Sequence, residues 1–567
     1  MGDEAFPTTT VAEAYLALLR ERGIRRLFVN AGTDFAPLAE AYARADKAGL
    51  RLPEIVIVPH ESVAMGMAHG AYLVNGEPQA VMLHTSVGSA NAVMGIMNAA
   101  RDRVPILLTA GRTPLFEAGA LGARNGQIHW AQEMYDQAGM FREMLKWDYE
   151  LRDGLQLETV VDRMIGLAMS EPRGPIYLTL PREVLAKPLD GFRPQRAGVV
   201  VASDPAPSPE AVERLADLLA GARFPVIVAS AAGVQPGAVA ALEDLAGRFG
   251  IGIVENAPRV VNASSEHPCH LGYGTLSVTD EADVLCFVEC DVPWIPAMGE
   301  PRPETTIVQC GVDPMFDRYP IRHHRADLVV SGAPRQLFEA VAAALEGRQG
   351  GIEAGRAQRV VAAASERRAR RAASLAAHAS GSAGITKGFL NWALHEVRQP
   401  EDIVVDEYWA RSDTLSSTVP GTEFHNPPTG GLGWGVPAAV GVQLASPGRT
   451  VFATVGDGAY LFANPPACHQ VMASSGLPVI TVVCNNGRWG AVEGSTRAMY
   501  PDGLTVAAGS TPLATLDRSH AFELYATATG GHGERVAERD ELVPALRRAV
   551  AAAREGRHVV LNVLSDE

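Results

Sequence analysis

The chain has 567 residues, 47% of them hydrophobic, and a formal net charge of −15 at pH 7. A chain of this length is too long for one hydrophobic core and suggests roughly three or four domains. The negative net charge argues against a nucleic-acid partner or an anionic membrane surface. The sequence contains no uninterrupted apolar run of about 18 residues, so no membrane span is predicted.

The amino terminus starts acidic and becomes amphipathic, which excludes an ordinary signal peptide. The six cysteines lie mostly within apolar runs and form no CxxC pair. Such cysteines are typical of buried thiols in a reducing compartment rather than of disulfides or zinc ligands. We therefore expect a cytoplasmic protein.

Residues 1–190 predict a doubly wound parallel α/β domain. A capped amphipathic helix over residues 8–22 is followed by short apolar strands, each flanked by helical sequence. This alternation predicts a parallel sheet covered by helices. The predicted strands cover residues 26–30, 54–59, 79–84, 105–110 and 176–180.

A second domain is predicted over residues 205–345, because a Pro/Ser-rich segment and a new helix start at its beginning. Its predicted strands cover residues 225–230, 252–255, 284–289 and 306–311, and it has no GxGxxG motif. Residues 346–385, rich in Gly, Ala and Arg, predict a solvent-exposed connecting helix rather than a nucleic-acid-binding arm. The third domain covers residues 386–567.

Two strands of the third domain, 451–455 and 479–484, each end in polar residues. The first runs into Gly456-Asp457-Gly458 and the second into Asn485-Asn486-Gly487. The 26 residues between Gly458 and Asn485 suffice for one helix and two short loops, which predicts a right-handed βαβ crossover. Both polar ends then face one crevice, where glycines admit a phosphate and the Asp457 and Asn486 oxygens suit Mg²⁺.

This spacing of GDG and NN resembles the signature of thiamine-diphosphate-dependent enzymes. The resemblance implies three doubly wound α/β domains, called pyrimidine-binding, middle and diphosphate-binding, with thiamine diphosphate and Mg²⁺ as cofactors. It implies Asp457, Asn486 and Arg488 as metal ligands. The implied cofactor contacts in the third domain are Trp409, Ala410, Gly430, Leu432, Gly456, Asp457, Gly458, Ala459, Asn486, Arg488, Trp489 and Gly490.

Within that set, Gly430 would offer its carbonyl to the 4′-amino group, and Leu432 would support the bent cofactor. The loop over residues 406–411 would cover the diphosphate. Its Trp409 and Arg411 depart from the small hydroxyl residues that the family commonly carries there.

Glu61 directly follows the strand at 54–59 and begins a helix rich in Ala, Gly and Met, the place where an α/β sheet presents functional side chains. A carboxyl in a mostly apolar setting suits proton exchange with the pyrimidine N1′. The resemblance gives Glu61 that role. The alternative is a carboxylate that only stabilises the helix dipole.

The segment from residue 84 to 91 resembles the second loop of the same family, and residues 27–150 look most like the benzoylformate decarboxylases. That likeness places Thr33 and His84 at substrate-facing positions. It implies His84 and Gln132 as catalytic residues and Gly32, Thr33 and Asn91 as further cofactor contacts.

Glu493, seven residues after Asn486, lies in a predicted helix rising from the metal toward the substrate and is a further catalytic candidate. The alternative is a surface glutamate. Residues 292–298 lack the middle-domain histidine of benzoylformate decarboxylases, and the first domain lacks the histidine pair of pyruvate decarboxylases. A pocket with one carboxyl acid/base and without that histidine pair is similar to the pocket of the 2-hydroxyacyl-CoA lyases, relatives of oxalyl-CoA decarboxylase. This resemblance implies cleavage of a 2-hydroxyacyl-CoA to formyl-CoA and an aldehyde or ketone.

The lyase resemblance leaves other questions open. In that family the middle domain often binds ADP or the CoA nucleotide, and Asp313 with Arg318, Arg322 and Arg325 could meet one here, unless they are merely solvated charges. The sequence ends directly after its last predicted strand, without the lid of CoA-using relatives. A 2-keto acid decarboxylase or an acetolactate-synthase-like carboligase is therefore the alternative, and a non-enzymatic nucleotide-binding regulator is a further one.

The pyrimidine and diphosphate ends of the cofactor are assigned to different domains of this chain. In the family, those two ends are bound by different subunits. The resemblance thus implies a homodimer at minimum and favours a homotetramer acting on a small acyl-CoA substrate.

Overall fold

The computed structural model describes residues 7–195, 198–381, 384–410 and 412–566. Within these residues eighteen strands form three six-stranded sheets. All strand pairs within the sheets are parallel. The predicted fold class, three doubly wound parallel α/β sheets, is confirmed.

The first sheet has the strand order β2-β1-β3-β4-β6-β5. Its strands are β1 (Arg26–Val29), β2 (Glu54–Ile57), β3 (Gln79–Leu83), β4 (Ile106–Arg112), β5 (Trp147–Glu150) and β6 (Ile176–Pro181). Its helices are α1 (Val11–Glu21), α2 (Ala36–Ala48), α3 (Glu61–Asn75), α4 (Thr85–Asn91), α5 (Val93–Arg101), α6 (Ile128–Ala131), α7 (Leu157–Met169) and α8 (Arg182–Leu185). Helix α1 begins where the Thr10 side chain accepts from the Glu13 amide, as expected for an N-cap.

The second sheet has the order β12-β11-β10-β7-β8-β9, which is the order typical of dinucleotide-binding sheets. Its strands are β7 (Pro225–Ala229), β8 (Gly252–Glu255), β9 (His270–Tyr273), β10 (Val284–Val288), β11 (Thr306–Gly311) and β12 (Leu328–Ser331). Its helices are α9 (Pro209–Gly221), α10 (Ala238–Phe249), α11 (Pro334–Glu346) and α12 (Arg356–Ser380).

Helix α12 lies in the segment that was expected to be an exposed connector, and its beginning is buried. The Arg356 guanidinium donates to the carbonyl oxygens of Leu219, Ala222 and Phe249. Val360 and Ala364 belong to the core of the middle domain. The first turns of α12 therefore complete that core, and the exposed part of the helix begins only later.

The third sheet has the order β14-β13-β15-β16-β18-β17 and repeats the topology of the first. Its strands are β13 (Ile403–Glu407), β14 (Glu423–His425), β15 (Val451–Gly456), β16 (Ile480–Asn485), β17 (His532–Val536) and β18 (Val559–Leu564). Its helices are α13 (Lys387–Val397), α14 (Ser412–Leu415), α15 (Gly435–Ala445), α16 (Asp457–Phe462), α17 (Pro465–Ser475), α18 (Gly490–Met499), α19 (Leu504–Ala507), α20 (Glu523–Thr527) and α21 (Leu542–Arg554).

The crossover between β15 and β16 contains two helices, α16 and α17, so the expectation of one helix is wrong. Asn464 lies between them with a φ of 54°, a left-handed conformation that ends α16. Pro465 then takes the first position of α17, where its missing N–H costs nothing.

Helices α3 and α15 join the first and third domains at close range. A Cβ atom on Gly70 would lie 2.0 Å from the Ala438 carbonyl oxygen, and one on Gly441 would lie 1.9 Å from that of Met67. Only glycine permits this approach. Since Glu61 begins α3, the same packing fixes its position relative to the third domain.

All six cysteines are buried and free, as expected. In the part of the chain that the structure describes, no helix is both long and apolar enough to cross a membrane.

Candidate active site

A cavity of about 450 Å³ opens at the carboxyl edge of the third sheet. Its lining brings together eleven of the residues that the resemblance implied as cofactor contacts: Trp409, Gly430, Leu432, Gly456, Asp457, Gly458, Ala459, Asn486, Arg488, Trp489 and Gly490. Lys387, Phe462 and Cys484 also line the cavity, and the sequence analysis missed them. The volume lies within the range of small-molecule sites.

Asp457 is the buried carboxylate of this cavity, with 3% of its surface exposed. Its Oδ1 accepts from the Gly458 amide and its Oδ2 from the Gly487 amide, both at 2.8 Å. Burial raises the pKa of the carboxyl group. No ion pair of Asp457 with a Lys, Arg or His side chain is found among the described residues, although Lys387 and Arg488 line the same cavity, so a bound cation would supply the positive charge that a buried carboxylate needs.

The oxygens around Asp457 fit Mg²⁺. Asn486 Oδ1 accepts from the Arg488 amide at 3.0 Å, and Arg488 would contribute its backbone carbonyl, since its guanidinium repels a cation. Carboxylate, amide and carbonyl oxygens are ligands for hard cations. Among the described residues no group of three or more His, Cys, Asp or Glu side chains suits a metal ion, which is consistent with a site made mainly of neutral oxygens and a diphosphate.

Glu407, at the end of β13, holds the loop that carries Gly430 and Leu432. Its carboxyl accepts from the amides of Gly433 and Gly435, both at 2.8 Å. Burial raises the pKa of Glu407 to about 7. Glu407 is not among the predicted site residues, although a carboxyl group at the carboxyl end of an apolar strand was a signal for it.

The loop after β13 is organised by Asp406, whose carboxylate accepts from the amides of Tyr408, Trp409 and Ala410. The Trp409 indole donates to the Val455 carbonyl at 3.1 Å and forms a wall of the cavity. Ala410 lines a different cavity, between the middle and third domains. Arg411 lies outside the described residues.

Tyr408 in that loop has a φ of 87°, an unusual conformation for a side chain of this size and one that concentrates at functional sites. Its phenol donates to the Gly430 carbonyl at 3.4 Å. The carbonyl predicted to meet the 4′-amino group thus faces the cavity beside a tyrosine hydroxyl.

In the first domain, Glu61 begins α3 and lies beside α4. Its Oε2 accepts from Asn91 Nδ2 at 3.1 Å, and a Cβ atom on Gly88 would come within 3.2 Å of its Oε1. Asn91 therefore orients the carboxyl group of Glu61. Neither Glu61 nor Asn91 is among the described residues that line the cavity in the third domain.

His84 is paired with Asp34, a residue that the sequence analysis did not single out. His84 Nδ1 lies 2.5 Å from Asp34 Oδ1, and Asp34 is buried. A Cβ atom on Gly32 would lie 2.1 Å from His84 Nδ1, and one on Gly111 would lie 1.7 Å from Asp34 Oδ2. The hydrogen bond to Asp34 raises the pKa of His84, so a cationic imidazole is favoured.

Two further residues of this group lie nearby. Thr33 is exposed, and its carbonyl accepts from Arg182 at 3.4 Å. The backbone carbonyl of Gln132 accepts a hydrogen bond from the Ser86 hydroxyl at 2.8 Å. The side-chain Oε1 of Gln132 is buried without a hydrogen-bond partner among the described residues. A hydrogen-bond donor of a bound ligand could therefore be accepted by this oxygen.

Glu493 lies on α18, as predicted, but its carboxylate faces two arginines. Oε1 lies 2.6 Å from Arg497 and Oε2 lies 3.5 Å from Arg488. The apolar neighbours of Glu493 favoured a catalytic role, but an arginine four residues later stands at the standard spacing for a helical ion pair.

Two arginines of the middle domain, Arg322 and Arg325, are engaged with the protein itself. Arg322 donates to the carbonyls of Cys290 and Asp291, and Arg325 donates to those of Arg302 and Thr305. Asp313 lies 3.5 Å from Arg103 of the first domain. Arg318 and Asp313 line a cavity together with Arg103, so the nucleotide site stays a prediction.

Comparison with known proteins assigns both ends of the chain. Residues 9–140 match the thiamine pyrophosphate enzyme N-terminal TPP binding domain, and residues 408–563 match the C-terminal TPP binding domain of the same enzymes. The chain belongs to the thiamine pyrophosphate enzyme family. The first match contains Glu61, Asp34 and His84, and the second contains most of the cavity lining.

Individual relatives of this thiamine diphosphate enzyme cover nearly its whole length. A sulfoacetaldehyde acetyltransferase of Rhodobacter capsulatus is 26% identical over 98% of this chain and 94% of its own. A benzoylformate decarboxylase of Pseudomonas aeruginosa is 25% identical, with 96% and 97% covered. The solved 4-hydroxybenzoylformate decarboxylase of Rhodococcus jostii shares the fold with a TM-score of 0.76 at 22% identity, covering 98% of this chain and 99% of that one.

Proposed function

We propose that this chain is a thiamine-diphosphate- and Mg²⁺-dependent decarboxylase of a 2-keto acid. The observation that carries the proposal is the pair of Asp34 and His84. A histidine whose Nδ1 is bonded to a buried carboxylate, which raises its pKa, provides a donor for the carboxylate or keto oxygen of such a substrate. The negative charge of Glu61 also contributes to the raised pKa of His84, so both groups belong to one electrostatic unit.

Thiamine diphosphate, when bound, supplies a carbon nucleophile that adds to the keto group and then accepts the electron pair released with carbon dioxide. Asp457, Asn486 and the Arg488 carbonyl would hold Mg²⁺ and, through it, the diphosphate. Glu61 would hold the proton exchanged at the pyrimidine N1′. His84 would bind the substrate through Nε2–H, since its Nδ1 is occupied by Asp34.

The 2-hydroxyacyl-CoA lyase function implied by the sequence depends on Glu493 as a base at the substrate hydroxyl. The ion pairs of Glu493 with Arg497 and Arg488 favour a structural role instead, because they engage its carboxylate, and Glu493 is not among the described residues that line the cavity. None of the three relatives described above has a CoA thioester in its name. For these reasons we favour the decarboxylase.

We also propose that a second copy of the chain completes the site, giving a homodimer at minimum. Among the described residues, none of the first domain lines the cavity of the third domain. Glu61 and His84 nevertheless belong to the N-terminal TPP binding match. A partner's first domain placed over the cavity would bring the two halves together.

The apolar cavity wall favours a substrate with an apolar side chain, since Leu432, Phe462 and Val492 line it. The test is an assay with thiamine diphosphate, Mg²⁺ and a panel of benzoylformate, a branched aliphatic 2-keto acid, pyruvate and a 2-hydroxyacyl-CoA. We expect carbon dioxide from benzoylformate or the branched acid, and its loss in His84→Ala. Formyl-CoA as the main product would contradict the proposal.

A further inference from the structure

We propose that Lys387, a residue to which no role has been assigned, binds the diphosphate of the cofactor. The inference rests on the thiamine diphosphate site described above. Lys387 is one of only four lysines in the chain, with Lys47, Lys146 and Lys187. Of the described residues that line the cavity, Lys387 and Arg488 are the cationic ones.

The position of Lys387 follows from the direction of α13. This helix ends at Val397, before β13 begins at Ile403, so its last turn lies at the amino edge of the sheet. Lys387, its first residue, therefore lies at the carboxyl edge, where Asp457 and Asn486 also lie. The amino-terminal end of a helix adds a favourable field for an anion at this edge.

Hydrogen bonds fix this end of α13 on the Asn486 side of the cavity. The Ile385 carbonyl accepts from the Ser565 hydroxyl at 3.0 Å, and the Ser565 amide donates to the Asn485 carbonyl at 2.9 Å. One turn into the helix, Asn391 Nδ2 donates to the Trp409 carbonyl at 3.1 Å. Lys387 is thus held between the metal-binding residues and the loop above them.

The charge balance of the cavity with bound cofactor favours a further cation such as the Lys387 ammonium group. A diphosphate together with the Asp457 carboxylate carries more negative charge than one Mg²⁺ neutralises. The Arg488 guanidinium lies 3.5 Å from Glu493, so part of its charge is compensated there. An ammonium group is a compact charge that binds phosphate oxygens well.

The loop after β13 also favours diphosphate binding by Lys387. It carries Trp409 and Ala410. The Trp409 indole N–H is used by the Val455 carbonyl, and alanine has no donor. Lys387 would supply, from a neighbouring helix, a donor that neither Trp409 nor Ala410 offers to the diphosphate.

The test is titration of the metal-loaded apoprotein with thiamine diphosphate and, separately, with thiamine. Binding is followed by tryptophan fluorescence, because Trp409 and Trp489 line the cavity. Lys387→Met removes the charge and keeps an unbranched chain, Lys387→Arg keeps the charge, and Lys47→Met, on the exposed face of α2, is the matched control.

We expect Lys387→Met to weaken thiamine diphosphate binding by roughly 10- to 100-fold, the scale of one charge-assisted hydrogen bond. Its thiamine affinity should stay at the wild-type value, and Lys387→Arg should bind thiamine diphosphate nearly as well as wild type. An unchanged diphosphate affinity in Lys387→Met overturns the proposal. An equal loss for both ligands also overturns it, because that would indicate a damaged cavity.

Two other outcomes separate this inference from the proposed reaction. If Lys387→Met keeps its cofactor affinity and only the KM for a 2-keto acid rises, Lys387 binds substrate and the inference fails while the reaction stands. If wild type binds cofactor through Lys387 but releases no carbon dioxide from any 2-keto acid, the reaction fails and the inference stands.

Discussion

Asp34 and His84 form a hydrogen bond of 2.5 Å although 50 residues separate them in the chain. They meet because β1 and β3 are neighbours in the first sheet, so the segments that follow these two strands share one edge. Neither residue is among the described residues that line the cavity of the third domain. Asp34 acts through His84, so it is a positioning residue. It fixes which nitrogen of His84 is available and favours its protonated form.

Replacing Asp34 with Asn should therefore shift the pH dependence of the reaction. Asp34 raises the pKa of His84, so the imidazolium of wild type is lost only as pH rises through that elevated value. In Asp34→Asn the loss should occur at lower pH, and kcat/KM on the alkaline side should fall by at least about 10-fold. NMR titration of His84 and a pH–rate profile measure both effects.

The control for this prediction is Asp46→Asn, because Asp46 is an exposed carboxylate on α2 of the same domain. It should leave both the His84 titration and the pH–rate profile unchanged. An unaltered alkaline limb in Asp34→Asn would show that Asp34 does not govern the protonation of His84.

Asp457→Asn should abolish metal-dependent cofactor binding without damaging the fold. The buried carboxylate forms no ion pair with a cationic side chain among the described residues, and burial raises its pKa, so a neutral amide fits the apoprotein at least as well. We expect thiamine diphosphate affinity with Mg²⁺ to fall by at least about 100-fold, as for losses around metal ligands.

Thermal unfolding with and without cofactor checks this prediction. Wild type should be stabilised by thiamine diphosphate with Mg²⁺, and the effect should disappear with a chelator. Asp457→Asn should show no stabilisation under either condition, while the exposed Asp517→Asn should behave as wild type. Cofactor stabilisation of Asp457→Asn would remove Asp457 from the metal site.

Glu493→Gln should keep most of the activity toward a 2-keto acid, within about tenfold of wild type. A base in the lyase reaction would instead cost about 10²- to 10⁴-fold. Arg497→Gln breaks the same ion pair and should have an equally small effect. Steady-state carbon dioxide release decides the matter, and a large loss specific to Glu493→Gln would restore the lyase hypothesis.

Glu61→Gln and Asp457→Asn should complement one another if the site is shared between subunits. Glu61→Gln alone should slow proton exchange at the cofactor C2 by about 10²-fold or more, since the acceptor for N1′ is lost. Co-expression of the two inactive chains with different tags should yield mixed dimers in which one of the two sites is intact, so purified mixed dimers should have about half of the wild-type activity. No recovery in purified mixed dimers would mean that each chain builds its own site.

The sequence predicted the parts of the fold that a local pattern determines. Buried parallel strands such as β3, β6 and β15 are nearly continuous apolar runs in the sequence, which predicts them. The polar residues at the ends of β15 and β16 predicted where the cavity lies. Five of the unpredicted strands, β5, β9, β12, β14 and β17, lie at sheet edges, whereas β13, also unpredicted, is a buried inner strand of the third sheet. Most edge strands are short and partly solvated, so they lack that run of apolar residues.

Contacts between distant segments could not be predicted in the same way. The pairing of Asp34 with His84 depends on which strands are neighbours, and the place of Lys387 in the cavity depends on how α13 packs on the sheet. The pair of Glu493 and Arg497 is different, because its spacing was visible in the sequence. Without this ion pair, Glu493 is a candidate base, which is the role that the lyase hypothesis requires.

The most direct test of the central claim uses a 2-keto acid labelled at its carboxyl carbon. The protein is incubated with benzoylformate, thiamine diphosphate and Mg²⁺, and labelled carbon dioxide and benzaldehyde are counted together. The decarboxylase account predicts equal amounts of both, and neither product without Mg²⁺ or with Asp457→Asn. Absence of labelled carbon dioxide from benzoylformate and from the branched and pyruvate substrates, in a protein that binds the cofactor, would contradict it.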